Sequence, residues 1–116
     1  MPPDAKKHLF DIQRAYTRLA NFTAGRSGVE YESDEMLRSA VERQFEIIGE
    51  ALTRLLKSHP DVAQRITEYR RIISFRNVLI HGYDAIRDAV VWEVLEHKLP
   101  VLRTEVEAML NEPEQP

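Results

Sequence analysis

The chain contains no cysteine, and this absence excludes three kinds of site. A disulfide framework, a thiol nucleophile and a cysteine-ligated zinc or iron–sulfur centre all require that residue. The chain has 116 residues, the length of one domain, and such a domain can fold without a metal or a disulfide. We therefore predict a single domain over residues 1–116, in a reducing cytoplasmic setting, with a tail at 112–116 that frays.

Long apolar runs are also lacking, since none comes near the roughly 20 residues that a membrane-spanning helix requires. The N-terminal stretch, MPPDAKKHLFDIQRAY, is charged and has no signal-peptide core. A net charge of −3 argues against a protein that binds nucleic acid over its whole surface. Between residues 65 and 81, however, four arginines stand against one glutamate. This excess predicts either a local anion site or an ordinary solvated helix face.

Apolar residues recur at steps of three and four along the first half of the chain, which predicts helices. The first helix should cover Asp4–Ala24, with Asp4 as its N-cap. The second should begin at a cap provided by Ser33 or Asp34 and end near Ser58. It contains Gly49, whose missing side chain would be explained by a close crossing of two helices.

The second half of the chain predicts two more helical stretches and no strands. One covers residues 61–81, with a break near Ile66, and Gly82 ends it in a left-handed conformation. The other covers residues 86–111, where Pro100 should kink or split the helix because proline lacks a backbone donor. Four or five helices with short connections predict an all-α, compact antiparallel bundle.

One segment, residues 74–84, places several polar side chains around the end of an apolar helix: Arg76, Asn77, His81 and Tyr83. Arg76 and His81 are five positions apart, so on an ideal helix their side chains diverge by about 140°. They can converge if the helix ends at His81, or if two chains share the site. The sequence leaves both options open.

A histidine and an arginine suffice for metal-free RNA cleavage. The free carbonyls at a helix C-terminus favour a cation, so a histidine there, His81, could act as general base or acid and take the 2′-OH proton. Arg76 could stabilise the charge that develops on the pentavalent phosphorus. The structural alternative is that His81 only caps the helix and Arg76 is a surface residue. No two histidines stand at metal-ligand spacing, so we predict no metal and no cofactor.

The octapeptide RNVLIHGY at residues 76–83 resembles the R-x-x-x-x-H-x-Y signature of HEPN proteins, in the form found in HepT-like toxins. Residues 41–52 resemble the second helix of that branch. Residues 91–94, followed by 98–100, resemble its last helix. The similarity covers about residues 10–110, and the three stretches in this order are far more specific than the octapeptide alone.

This resemblance implies a homodimeric helical bundle that is a metal-independent endoribonuclease toxin acting on tRNA or mRNA. Arg76 and His81 of both chains would line a cleft at the dimer interface, which would make the site composite. Arg76 would bind the phosphate and the transition state, His81 would be the general base or acid, and Asn77 would support them. Arg70 and Arg71 would extend the contact with the RNA backbone.

The resemblance further implies a cognate nucleotidyltransferase antitoxin, as in type VII-like toxin–antitoxin pairs. This partner would transfer AMP from ATP to Tyr83, where its bulk and negative charge would block RNA. One alternative is a non-catalytic dimeric helical module that binds and regulates a nucleotidyltransferase. Another is a plain helical bundle, in which Arg76 and His81 would tolerate alanine.

Overall fold

The structure, a computed structural model, describes residues 1–81 and 88–114. None of these residues lies in a β-strand, which confirms the predicted all-α class. Within these ranges the chain forms α1 (Pro3–Thr23), α2 (Gly28–Ser33), α3 (Glu35–Ser58), α4 (Pro60–Ala63), α5 (Tyr69–His81), α6 (Asp88–Glu93), a π-helical segment (Val94–Lys98) and α7 (Leu99–Leu110). No helix in the described part of the chain is long and apolar enough to cross a membrane.

Helix α1 begins differently from the prediction, because its N-cap is Pro2 and not Asp4. Proline suits the start of a helix, since its fixed φ is already helical and the first backbone donors have no partner there. Asp4 lies in the first turn, and Nε2 of His59 is 2.9 Å from its Oδ2. This hydrogen bond lowers the pKa of the Asp4 carboxyl. It also joins the start of α1 to the end of α3, so the two helices are antiparallel.

Helix α2 is an element that the sequence did not predict, since residues 28–33 follow a glycine-rich break. Ser27 caps it by accepting a hydrogen bond from the backbone N–H of Glu30 at 3.1 Å. Tyr31 is fully buried, and its ring centroid lies 5.4 Å from that of Trp92. A helix this short is marginal alone, so it depends on the burial of Tyr31 against a distant part of the chain.

Helix α3 is the central element of the bundle and begins where predicted. Oδ1 of Asp34 accepts a hydrogen bond from the backbone N–H of Leu37 at 3.0 Å, which confirms Asp34 as its N-cap. Its apolar stripe is buried, as the spacing predicts, and comprises Leu37, Val41, Phe45, Ile48, Leu52 and Leu55. Helices α1 and α5 both pack on α3, and α7 packs on α1. The core therefore forms around α3.

The predicted break in the third helical stretch is confirmed, because α4 ends at Ala63 and α5 begins at Tyr69. Glu68 lies in this break and has a left-handed backbone with φ of 56°, which is uncommon for a residue other than glycine. The Glu105 carboxylate of α7 accepts hydrogen bonds from the Thr67 backbone N–H at 2.9 Å and hydroxyl at 2.7 Å. This contact fixes the start of α5 relative to α7.

The last helical stretch is interrupted just before Pro100, as predicted. The interruption is π-helical: the backbone N–H of Leu99 donates to the carbonyl of Val94, five residues earlier. A wider turn relieves the crowding that proline imposes on the turn before it. After α7 the tail is non-helical as far as Glu114, and Glu112 and Glu114 pair with Arg65 and Lys6.

Candidate active site

Helix α5 presents one exposed stripe along its length, and His81 lies at its C-terminal end. The stripe is exposed because the opposite side of α5 packs on the core through Phe75 and Leu79. Its exposed residues are Arg70, Arg71, Ser74, Asn77, Val78 and His81. The His81 imidazole is therefore open to solvent, where a substrate can reach it.

Arg76 lies at the crossing of α3 and α5, not on that stripe. A Cβ built on Gly49 would lie 2.5 Å from Cγ of Arg76 and nearer still to its Cβ. The two helices approach this closely because Gly49 has no side chain. The close crossing that the sequence predicted at Gly49 is confirmed, and the residue it meets is the candidate catalytic arginine.

The outer part of the Arg76 side chain turns toward the exposed stripe. Its Nη1 donates a hydrogen bond to Oδ1 of Asn77 at 2.9 Å. Its Nε is buried and has no hydrogen-bond partner in the described part of the chain. Among residues 1–81 and 88–114, no carboxylate lies within ion-pair distance of Arg76. A guanidinium in this state is suited to bind an external anion such as phosphate.

Asn77 lies between the two candidate catalytic residues in the sequence and contacts one of them, Arg76. It follows Arg76 directly and precedes His81 by one helical turn, so Asn77 and His81 share the exposed stripe. The hydrogen bond to Asn77 therefore holds one end of the Arg76 guanidinium against a residue of the exposed stripe. Residue spacing alone does not predict this contact, because it does not show the direction that a long side chain takes.

The other two arginines of the predicted site, Arg70 and Arg71, have different partners. Nε of Arg70 donates to the Tyr69 hydroxyl at 3.1 Å, and its guanidinium lies 5.3 Å from that ring centroid. Arg70 stays exposed on the stripe with His81. Arg71 is also exposed, three residues before Ser74, and its Nη1 pairs with Glu68 at 3.2 Å.

Glu50 follows Gly49, but it pairs with Arg43 at 3.5 Å, which keeps this carboxylate engaged on α3. Gly82, predicted to end the helix, and Tyr83, predicted to accept AMP, lie outside the described residues. No group of three or more histidine, aspartate or glutamate side chains in the described ranges could hold a metal ion.

A groove of about 440 Å³ lies between α5, α3 and the π-helical segment with α7. Neither Arg76 nor His81 lines it. Its walls are mainly apolar, and its charged lining residues are Glu68, Arg71, His97 and Lys98. Glu68 is engaged by both Arg71 and Lys98, each at 3.2 Å. The groove is therefore a feature distinct from the candidate site.

The chain is similar to known proteins over almost its whole length. The "Ribonuclease HepT-like" family model matches residues 12–109. "Putative RNase MJ1380" of Methanocaldococcus jannaschii is 30% identical over 104 residues, covering 90% of this chain and 94% of that protein. "Probable ribonuclease HepT" of Thermococcus cleftensis is 28% identical over 108 residues, covering 90% of this chain and 94% of that protein.

No solved structure shows significant similarity to the chain. The family match spans α3 and α5, which carry Gly49, Arg76, Asn77 and His81. The all-helical fold and this match agree with the HEPN resemblance seen in the sequence. The chain belongs to the ribonuclease HepT-like family.

Proposed function

We propose that the protein is a metal-independent endoribonuclease toxin whose site is formed by Arg76 and His81. The observation that carries this proposal is the position of the Arg76 side chain and the contacts that it makes. The base of this side chain is held against α3, it has no carboxylate partner in the described ranges, and its Nη1 is hydrogen-bonded to Asn77 on the stripe that exposes His81. A positive group on the same helix as a solvent-open imidazole supplies the two kinds of group that cleavage at an RNA phosphate requires.

The chemistry needs only groups of the protein and of RNA. Arg76 binds the non-bridging oxygens of the scissile phosphate, and His81 removes the proton of the adjacent 2′-OH. The 2′ oxygen attacks phosphorus, the bond to the 5′ oxygen breaks, and the leaving oxygen takes a proton from an imidazolium. The products are a 2′,3′-cyclic phosphate and a 5′-OH end. Arg76 stabilises the extra negative charge of the pentavalent transition state.

We propose a homodimer in which the exposed stripes of two α5 helices meet. General acid and general base must lie on opposite sides of the reacting phosphorus, and one chain offers one such histidine on this stripe. A second His81 from the other copy would supply the missing group. Val78, which is 41% exposed, would be covered by such a contact. The family resemblance supports the same arrangement.

The deciding experiment is cleavage of total tRNA and an mRNA by purified protein in EDTA. We expect cleavage without metal and products with 2′,3′-cyclic phosphate ends, because no step uses a metal. Substrate with a 2′-deoxy nucleotide at the cleaved position is the matched control and should resist cleavage. Cleavage that requires Mg²⁺ would contradict metal independence. Unmodified protein that never cleaves RNA would instead favour a non-catalytic module that regulates a nucleotidyltransferase.

We also propose that a partner nucleotidyltransferase neutralises the toxin by transferring AMP from ATP to Tyr83. Tyr83 follows His81 by two positions, so AMP there would add bulk and negative charge beside the substrate phosphate. Co-expression with the partner should add the mass of AMP to the wild type and abolish cleavage, with neither effect in Tyr83→Phe. Measurement of intact mass and of cleavage checks this. Added AMP on Tyr83→Phe would rule out Tyr83 as the acceptor.

A further inference from the structure

The contact between Gly49 and Arg76 differs from ordinary close packing of helices. Gly49 is buried in the middle of α3, where glycine is less favourable than alanine. An added Cβ would meet Cβ and Cγ of Arg76, and the Arg76 Cα would be only 3.5 Å away. These atoms form the base of the side chain: Cβ can move only if α5 shifts, and a rotamer change moves Cγ alone.

Gly28 provides a comparison within the same chain. A Cβ there would lie 3.2 Å from Cδ1 of Trp92, in the outer part of a side chain that can give way by a small rotation. Gly28 is therefore a tight position with no connection to the candidate site. A Cβ at Gly49 would lie closer to its neighbour than a Cβ at Gly28 would, and that neighbour is Arg76, the residue proposed to bind the scissile phosphate.

The consequence for Arg76 is that most of its side chain is fixed before substrate binds. Its Cβ and Cγ lie against the α3 backbone, and its Nε is buried. The hydrogen bond from Nη1 to Asn77 holds its end. Arginine has a large rotamer entropy, which a freely moving side chain would lose on binding phosphate. A fixed arginine has already lost most of that freedom in the folded state.

We infer that Gly49 is the positioning residue of Arg76: its missing side chain opens the space that directs the guanidinium to the substrate. This inference rests on the proposed function where it concerns catalysis, but its structural part does not. In Gly49→Ala the Arg76 side chain should leave its place and Nε should become exposed. Since Gly49 touches no substrate, its effect on cleavage should pass entirely through Arg76.

The first test needs no RNA. In a ¹⁵N NMR spectrum, the Nε–H of Arg76, assigned with Arg76→Lys, should exchange slowly with water in the wild type. In Gly49→Ala the signal should shift and exchange as fast as that of an exposed arginine, whereas Gly28→Ala should leave it unchanged. An unchanged, slowly exchanging Arg76 signal in Gly49→Ala would overturn the inference. This result would hold whether or not the protein cleaves RNA.

The second test uses cleavage kinetics. A displacement of about 1 Å at a reacting centre can reduce the rate by about 10²-fold, so Gly49→Ala should lower kcat by about 10- to 100-fold. On an Arg76→Gly background, which lacks the Cβ and Cγ that an alanine at position 49 would meet, the same change should have no further effect on kcat. Equal losses on both backgrounds would show that Gly49 acts through general stability. If the wild-type protein did not cleave RNA, the proposed function would be contradicted, but the NMR result on the Arg76 side chain would still stand.

A variant that does not fold is also informative. Arg76→Gly removes both Cβ and Cγ and thereby the overlap with an alanine at position 49. If Gly49→Ala alone is unfolded, adding Arg76→Gly should restore helical circular dichroism and a cooperative melting transition. A double variant that stays unfolded would place the clash elsewhere and overturn the inference.

Discussion

Replacing His81 by alanine should reduce RNA cleavage by about 10²- to 10⁴-fold, the usual contribution of a general acid or base. The fold should survive, because the His81 side chain is exposed at the end of α5 and makes no hydrogen bond to another described residue. Stability should therefore change by no more than about 0.5 kcal/mol, as for other surface substitutions. Initial rates in EDTA, with melting temperature and oligomeric state measured on the same samples, check both expectations.

His97→Ala is the matched control for this prediction. His97 is also an exposed histidine, but it lies in the π-helical segment and lines the groove away from Arg76. Its replacement should leave the cleavage rate within about twofold of wild type. Full activity in His81→Ala at equal fold and oligomeric state would remove His81 from the mechanism. The same loss in both variants would indicate a general effect of removing surface histidines.

Arg76→Lys should lower kcat by about 10²- to 10³-fold, even though the positive charge is retained. Lysine keeps the Cβ and Cγ that lie against Gly49, so the crossing of α3 and α5 should stay intact. It lacks the planar guanidinium that offers several donors at once to phosphate oxygens, and it cannot repeat the hydrogen bond to Asn77 in the same geometry. Single-turnover rates with saturating RNA separate this loss from weaker binding.

Arg71→Lys serves as the control for Arg76→Lys. Arg71 lies on the same helix, but it pairs with Glu68 and faces the groove, so lysine should preserve its contact and the cleavage rate. If Arg76→Lys kept the wild-type kcat, a point charge at position 76 would be sufficient. The planar geometry of the guanidinium would then play no part in the mechanism.

Much of the fold could be predicted from the sequence because the buried stripes are local patterns. The spacing of Leu37, Val41, Phe45 and Ile48 gives the buried face of α3, and the Asp34 cap gives its start. Helix α2 could not be predicted in this way. Its six residues are too few for a periodic pattern, and its stability depends on Tyr31 meeting Trp92, which is distant in the sequence.

By itself, the sequence determined which residue types the protein has and which side of each long helix is buried. The resemblance of residues 76–83 to the HEPN signature, a local motif, identified Arg76, Asn77 and His81 as the candidate site, and the local spacing of apolar residues placed His81 at a helix end. Only the tertiary structure decided where the Arg76 side chain lies. Its Cβ and Cγ pack against α3 at Gly49, where no side chain stands in the way. Residue spacing cannot predict this contact, because it joins residues that are far apart in the sequence.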